Sequence, residues 1–217
     1  TMDFCAQQEL SSLHMLFAAP ADLQAAQQAG LMQRETVQFH WHNRHPVAYA
    51  DFGDILASLQ QEKRKKIRQE RRKVAEAGVR FRHAAGRQIS AEDWAFFYRC
   101  YERTYLEHGN APYLSPAFFE AMRVHMPEHW VLFVAEQDGQ PIACSPIAIS
   151  ADGHTAYGRY WGALARVDQL HFEACYYQPI EWCIANGFQH FEGGAQGEHK
   201  MARALLPTST PSAHWVA

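Results

Sequence analysis

Five side chains that can accept a proton, donate one or carry charge, Glu192, Glu198, His199, Lys200 and Arg203, fall within twelve residues of the stretch FEGGAQGEHKMARALLP, Phe191 to Pro207. Gly193, Gly194 and Gly197 space them. Transfer of an acyl group to an amine needs a base for the amine proton, a donor that steadies the developing oxyanion, and cations where a substrate bears phosphate or carboxylate. The stretch holds each type: Glu192, or Glu198 with His199, as base, and Lys200 and Arg203 as cations. Gly187 to Phe191 reads as a short strand, so the glycines fall where a sheet releases the backbone into a loop, the usual seat of function. The competing reading has Glu192 closing the loop and the Glu-His-Lys run facing water.

Two further segments offer substrate-binding groups. A helix expected over Leu170 to Ala185 aligns Glu173, Tyr177 and Glu181 at i, i+4 spacing, with His171 and Cys175 along a second line. The first line could read a substrate amine or simply face solvent. Cys175 has no activating base near it in sequence, which argues against a thiol mechanism. In the segment YGRYWG, strand alternation puts Arg159 and Trp161 on one face, where a guanidinium beside an indole could hold a phosphate or a ring, or where the indole could pack in the core. His40, His42 and His45 alternate along another strand and its exit. They lack a Cys or carboxylate at metal-site spacing, so no metal is expected there.

These groups need a scaffold, and the composition allows one. The chain has 217 residues, 47% of them hydrophobic and 13% aromatic, enough for a sizeable core. A net charge of −3 gives no global attraction to nucleic acid or anionic lipid. The cysteines Cys5, Cys100, Cys144, Cys175 and Cys183 are odd in number and form no C-x-x-C pair, which argues against a disulfide framework and a zinc knuckle and fits a reducing cytoplasm. No apolar run approaches the roughly 18 residues that span a bilayer.

Ser11 to Phe17 and Leu31 to His42 read as strands flanking a helix at Pro20 to Ala29. This N-terminal piece, residues 1–50, is expected to end a preceding unit or to pack on the residues after it. A single helix is expected from Asp54 to Ala77, closed by Gly78. Beyond it, residues 78–217 read as strand Val79 to His83, helices Ala91 to Leu106 and Pro116 to Met126, and strands Trp130 to Glu136 and Pro141 to Ser150 joined by Asp138-Gly139, a strong hairpin signal. A strand at Thr155 to Gly162, the helix from Leu170 and the strand into the glycine-rich loop complete the order. The helix at 54–77 is unusual: eight of the eleven residues from Lys63 to Lys73 are basic. Such a helix buries only a narrow stripe, and its Lys63, Arg64, Lys66 and Arg71 are candidates for contact with tRNA or another polyanion.

The order of elements, with the blocks KRKKIRQERRKV, YGRYWG, LHFEACYYQPIEWCI and FEGGAQGEHKMARALLPT, resembles the bacterial FemAB-like family of N-acyltransferases, relatives of the Fem peptidoglycan aminoacyltransferases. The resemblance runs from about Ser11 to the end. It implies a mixed α+β fold of GNAT type, a mostly antiparallel sheet flanked by helices, with residues 1–50 closing one GNAT-like unit and 78–217 forming another. It implies an acyl or aminoacyl transfer to an amine, with acyl-CoA or aminoacyl-tRNA as donor and a link to cell-wall or peptidoglycan-type substrates, without naming the substrate. Lys200 falls where Fem enzymes carry a lysine near a phosphate-bearing substrate. The Q-x-x-G-x-G/A phosphate loop of acetyl-CoA-dependent GNAT enzymes is absent: Gly162 to Gln169 holds one glycine. Two other functions stand beside this one, a non-catalytic GNAT-fold module binding RNA or a phosphorylated ligand, and an acetyl-CoA-dependent N-acetyltransferase.

Overall fold

The computed structural model describes residues 2–195 and 197–216. Its centre is a nine-stranded sheet, and the N-terminal strands are hydrogen-bonded into it. After a short helix α1 (Met2–Gln7), β1 (Ser12–Leu16), α2 (Pro20–Gln28) and β2 (Met32–His42) match the sequence expectation closely. A strand without a counterpart in that expectation, β9 (Leu206–Val216), lies between β1 and β2. It carries Pro207 and Pro211, residues that cannot donate to a ladder. However, β1 covers only Ser212 to Val216, so both prolines lie where one edge of β9 is open.

The rest of the sheet is β3 (Arg80–Ala85), β4 (Trp130–Gln137), β5 (Gln140–Ile149), β6 (Thr155–Gly158), β7 (Gly162–Ala163) and β8 (His190–Glu192). At the β4–β5 turn, Asp138 and Gly139 both adopt positive φ, 51° and 74°, the geometry the Asp-Gly pair signals. Strand β4 is buried on both faces. Val131 and Phe133 point into a core with Trp41, Ile55, Ile147, Ile180 and Phe191. Trp130, Leu132 and Val134 point into a second core with Trp94, Phe97, Tyr101 and Phe119, supplied by α5 (Ala91–Glu107) and α6 (Pro116–His125). The period of two thus buries a helix layer against each face.

The helix expected at 54–77 is two helices, α3 (Phe52–Ser58) and α4 (Gln61–Glu76). Ser58 donates its hydroxyl to the Ile55 carbonyl at 2.7 Å, and Leu59 turns extended with ψ 156°. The helix expected at 170–185 is present as α7 (Leu170–Phe172), a π-helical segment Glu173–Tyr177 and α8 (Gln178–Ala185). The wider π turn rotates Glu173 and Tyr177 inward, against α4.

One acidic residue in the basic helix sets how these parts lock. Ile67, Glu70, Arg71 and Val74 form its inward face at i, i+3, i+4, i+7, and Glu70 is 6% exposed. The Arg203 guanidinium donates to it twice, Nη2 to Oε1 at 2.6 Å and Nε to Oε2 at 3.2 Å. Tyr177 donates its hydroxyl to the same carboxylate. Arg203 also donates to the His199 carbonyl at 2.6 Å and lies 3.4 Å over the Phe172 ring. One carboxylate therefore ties α4, the π segment and the turn after the glycine-rich loop together. Removing one member of a buried ion pair leaves the other charge unpartnered, at a cost of about 3–5 kcal/mol. Glu70→Ala should accordingly lower stability by about that amount in urea denaturation followed by circular dichroism. Glu70→Leu with Arg203→Met should recover most of it, and equal losses in the single and double variants would show that the pair does not organise the loop.

Candidate functional site

The sheet is antiparallel except where β6 meets β8: Thr155 faces His190, Ala156 faces Phe191 and Tyr157 faces Glu192 in parallel. Beyond that pair the two segments part. Gly193 donates its amide to the Phe39 carbonyl at 2.8 Å and Phe39 donates to the Gly194 carbonyl at 3.1 Å, so the segment leaving β8 stays on β2. The segment leaving β6 returns to β5, where Gly162 pairs with Cys144 and Ala163 with Ala143. Arg159, Tyr160 and Trp161 bulge out between those pairings, three residues opposite Ser145 and Pro146. Gly193 admits no side chain, because a Cβ there would collide with Leu205. At Gly162 a Cβ would collide with the Cys100 carbonyl of α5.

At this parting a cleft of about 460 Å³ lies over the sheet, lined by Gln38, His40, Tyr157, Arg159 and Glu192 and, from β9, by Ser209, Thr210 and Pro211. Glu192, at the last paired position of β8, is half-buried. Burial raises its carboxyl pKa above the ordinary value, while Arg159 and His190 oppose that rise less strongly. His40 stands with Nε2 4.0 Å from Glu192 Oε2. The Tyr157 phenol is also raised, first by burial and then by Glu192. A base with a raised pKa beside a guanidinium suits the removal of a proton from an amine next to developing negative charge.

Arg159 and Glu192 are brought together; Trp161, His171, Glu173, Tyr177, His199, Lys200 and Arg203 do not line this cleft. Arg159 and Trp161 do not share a face, because the bulge breaks the alternation. Trp161 joins His171 and Phe172 in a separate hollow of about 490 Å³ with Arg103 and Arg166. The His171 ring packs on Trp161 at 5.5 Å, and its pKa is pushed down to about 4 by burial and then by His199, Arg203 and Lys200. Glu173 and Tyr177, expected on a polar stripe, are 4% and 1% exposed. Arg71 donates from Nε to both Glu173 oxygens, at 3.1 and 3.2 Å, and from Nη2 to Glu181 at 2.7 Å. Arg71 therefore clamps α4 to the π segment and α8, and its guanidinium is engaged there rather than left free for the polyanion contact expected of it.

Lys200 and Arg203 turn inward too. The Lys200 ammonium donates to the carbonyls of Gly193 at 2.7 Å and Gly194 at 3.1 Å, and burial lowers its pKa. It pins the glycine pair against β2, just as Arg203 pins the turn after it. His199 is exposed, 5.4 Å from the Phe172 ring, with its pKa lowered by burial, then by Arg203 and Lys200. The Glu198 side chain lies outside the described residues. Burial raises the Cys175 thiol to about 12, so no thiolate nucleophile forms at neutral pH. Among the described residues, no group of three or more His, Cys, Asp or Glu side chains is arranged to hold a metal ion, and no helix is long and apolar enough to cross a membrane.

Sequence reasoning missed Gln38, His40 and Tyr157 as cleft residues. Their signal was the shared alternation of β2 and β6, which becomes a site only when the strand register is known.

No curated protein matches the chain. Among solved structures the fold is similar to that of L-PGS from Bacillus licheniformis, with TM-score 0.69 and 10% identity over 98% of this chain and 70% of that one. It is similar to FemX, with TM-score 0.64 and 9% identity over 100% of this chain and 74% of that one. A tandem GNAT protein from the clavulanic acid biosynthesis pathway superposes with TM-score 0.53 and 13% identity over 99% of this chain and 66% of that one. Likeness at such identities is one of fold, and it agrees with the mixed α+β, GNAT-like architecture expected from the sequence. A profile of the FemAB-like family, described as peptidoglycan biosynthesis/recognition, matches residues 1–217 from end to end, and the chain belongs to that family.

Proposed function

We propose that this chain transfers an acyl or aminoacyl group to an amine in the cleft between β6 and β8, with Glu192 as general base. The observation that carries the reading is the half-buried carboxylate, its pKa raised, at the point where the sheet parts. The amine nitrogen bonds to the acyl carbon, the bond from that carbon to the carrier's oxygen or sulfur breaks, and Glu192 takes a proton from nitrogen. Arg159 supplies positive charge for a substrate carboxylate or phosphate or for the oxyanion. No covalent enzyme intermediate is invoked, in keeping with the inert Cys175.

The family description and the fold shared with FemX favour an amine-bearing acceptor of peptidoglycan type. Gly162 is where a phosphate-cradling loop would begin in an acetyl-CoA enzyme, yet it serves close packing on α5. That favours aminoacyl-tRNA as donor over acetyl-CoA. The outward face of α4, with Arg64, Lys65, Arg68 and Arg72 beside Gln61 and Gln69, offers a surface for such a polyanion. The same surface supports a second reading, a binding module that holds RNA without catalysis.

Incubation of the protein with an amine-bearing muropeptide and either aminoacyl-tRNA or acyl-CoA should give an amide product detected by mass spectrometry. Glu192→Gln should reduce kcat about 10²- to 10⁴-fold with little change in KM. Since the ionised base is the active form and its pKa is raised, the wild-type rate should fall on the acid side at a pH above the ordinary carboxylate range, and the variant should lose that limb. Wild-type rates from Glu192→Gln would remove the base assignment. Charge reversal at Arg64, Arg68 and Arg72 together should weaken tRNA retention in gel-shift assays at least about tenfold, with a shallower salt dependence. Unchanged retention would take α4 out of donor recognition.

A further inference from the structure

We propose that His40, His42 and His190 form a proton conduit that carries the proton taken up by Glu192 out of the cleft to solvent. The proposal rests on the transferase reading above. An alkyl amine with a pKa near that of lysine, about 10.4, reaches a neutral-pH site as ammonium. Of its three ammonium protons, one stays on the product amide, one returns to the atom that leaves the acyl carbon, and the third must leave the cleft in every turnover. The Glu192 side chain is itself 33% exposed, so the histidine row is a route for that proton beside direct loss to water.

The register of β2 on β8 supplies a row of side chains for it. His40 stands opposite Glu192 and His42 opposite His190, and since alternate residues share a face, all four project from the same side of the sheet. The row runs from cover to solvent: His40 is buried and His42 exposed. His42 Nδ1 and His190 Nδ1 are 2.8 Å apart, so one ring carries the proton that the other accepts. The His40 and His42 ring centroids lie 6.2 Å apart, and His40 Nε2, which has Gln38 Oε1 at 3.4 Å, is 4.0 Å from Glu192 Oε2, spans short enough for one water to bridge.

Imidazole takes up and releases a proton near neutral pH, as a relay requires. Burial and then His190 lower His40, and burial, His190 and His40 lower His42, which disfavours holding a proton on either ring. The charged and titratable groups on the other flank are Tyr157 and Arg159, with Asp152 acting on Tyr157. The Arg159 charge opposes a proton leaving by that side.

The test is the double variant His42→Gln/His190→Gln, which leaves Glu192 and its neighbour His40 in place. In the resting protein, ¹³C NMR of the Glu192 carboxyl carbon should show a titration curve displaced from that of the wild type. In the transfer assay with muropeptide and aminoacyl-tRNA, kcat in dilute buffer should fall about tenfold at unchanged KM, and added imidazole should restore it. A loss that imidazole does not restore, or no loss at all, overturns the conduit. An unchanged Glu192 curve overturns it whether or not transfer is found. A displaced curve in a protein that transfers no acyl group leaves the coupling of these groups standing and overturns the transferase reading.

Discussion

A carboxylate inside the most basic segment of the chain holds the site in shape. Glu70 takes the Arg203 guanidinium and the Tyr177 hydroxyl in a place that water barely reaches, and none of the three can be satisfied elsewhere without unpacking a helix. A buried pair of this kind is weak evidence of stability, since two apolar residues could fill the space as well. Its value is geometric. It fixes the turn after the glycine-rich loop relative to α4, and Lys200, anchored by Arg203's turn, then holds the Gly193 and Gly194 carbonyls against β2.

With that segment held on β2, the parting of the sheet is a consequence of hydrogen-bond geometry. Gly193 and Gly194 exchange bonds with Phe39 on one side, while Gly162 and Ala163 return to β5 on the other. The bulge and the parted strands leave Arg159 and Glu192 on a cleft that β2 and β9 also line. The cations that looked most suited to a substrate, Lys200 and Arg203, are the ones consumed in making this opening. Arg159, on the bulge, is the one that reaches the cleft.

Much of the fold could be read from local pattern. Asp138-Gly139 announced its hairpin, proline and glycine bounded α2, and alternation marked β2 and β4, because each signal depends on neighbours a few residues away. The readings that failed were those in which sequence neighbours compete with distant partners. Arg71 looked like one more exposed cation until Glu173 and Glu181, over a hundred residues on, claimed it. The polar stripe of Glu173 and Tyr177 assumed a uniform helix, and a π turn rotated it inward. Strand β9 had no counterpart in the sequence reading, and its two prolines are tolerated because one edge of the strand is open beside them.

The sequence by itself determined which side chains were available, that the glycine-rich stretch comes after a strand, and the family to which the chain belongs, since residue type, local periodicity and ordered motifs are properties of the linear chain. Only the tertiary structure decided which of those side chains face the cleft. Register places His40 and Glu192 side by side from strands about 150 residues apart. Burial decides which charges serve a neighbour and which remain free to meet a substrate, and burial is set by what packs across space rather than by what adjoins along the chain.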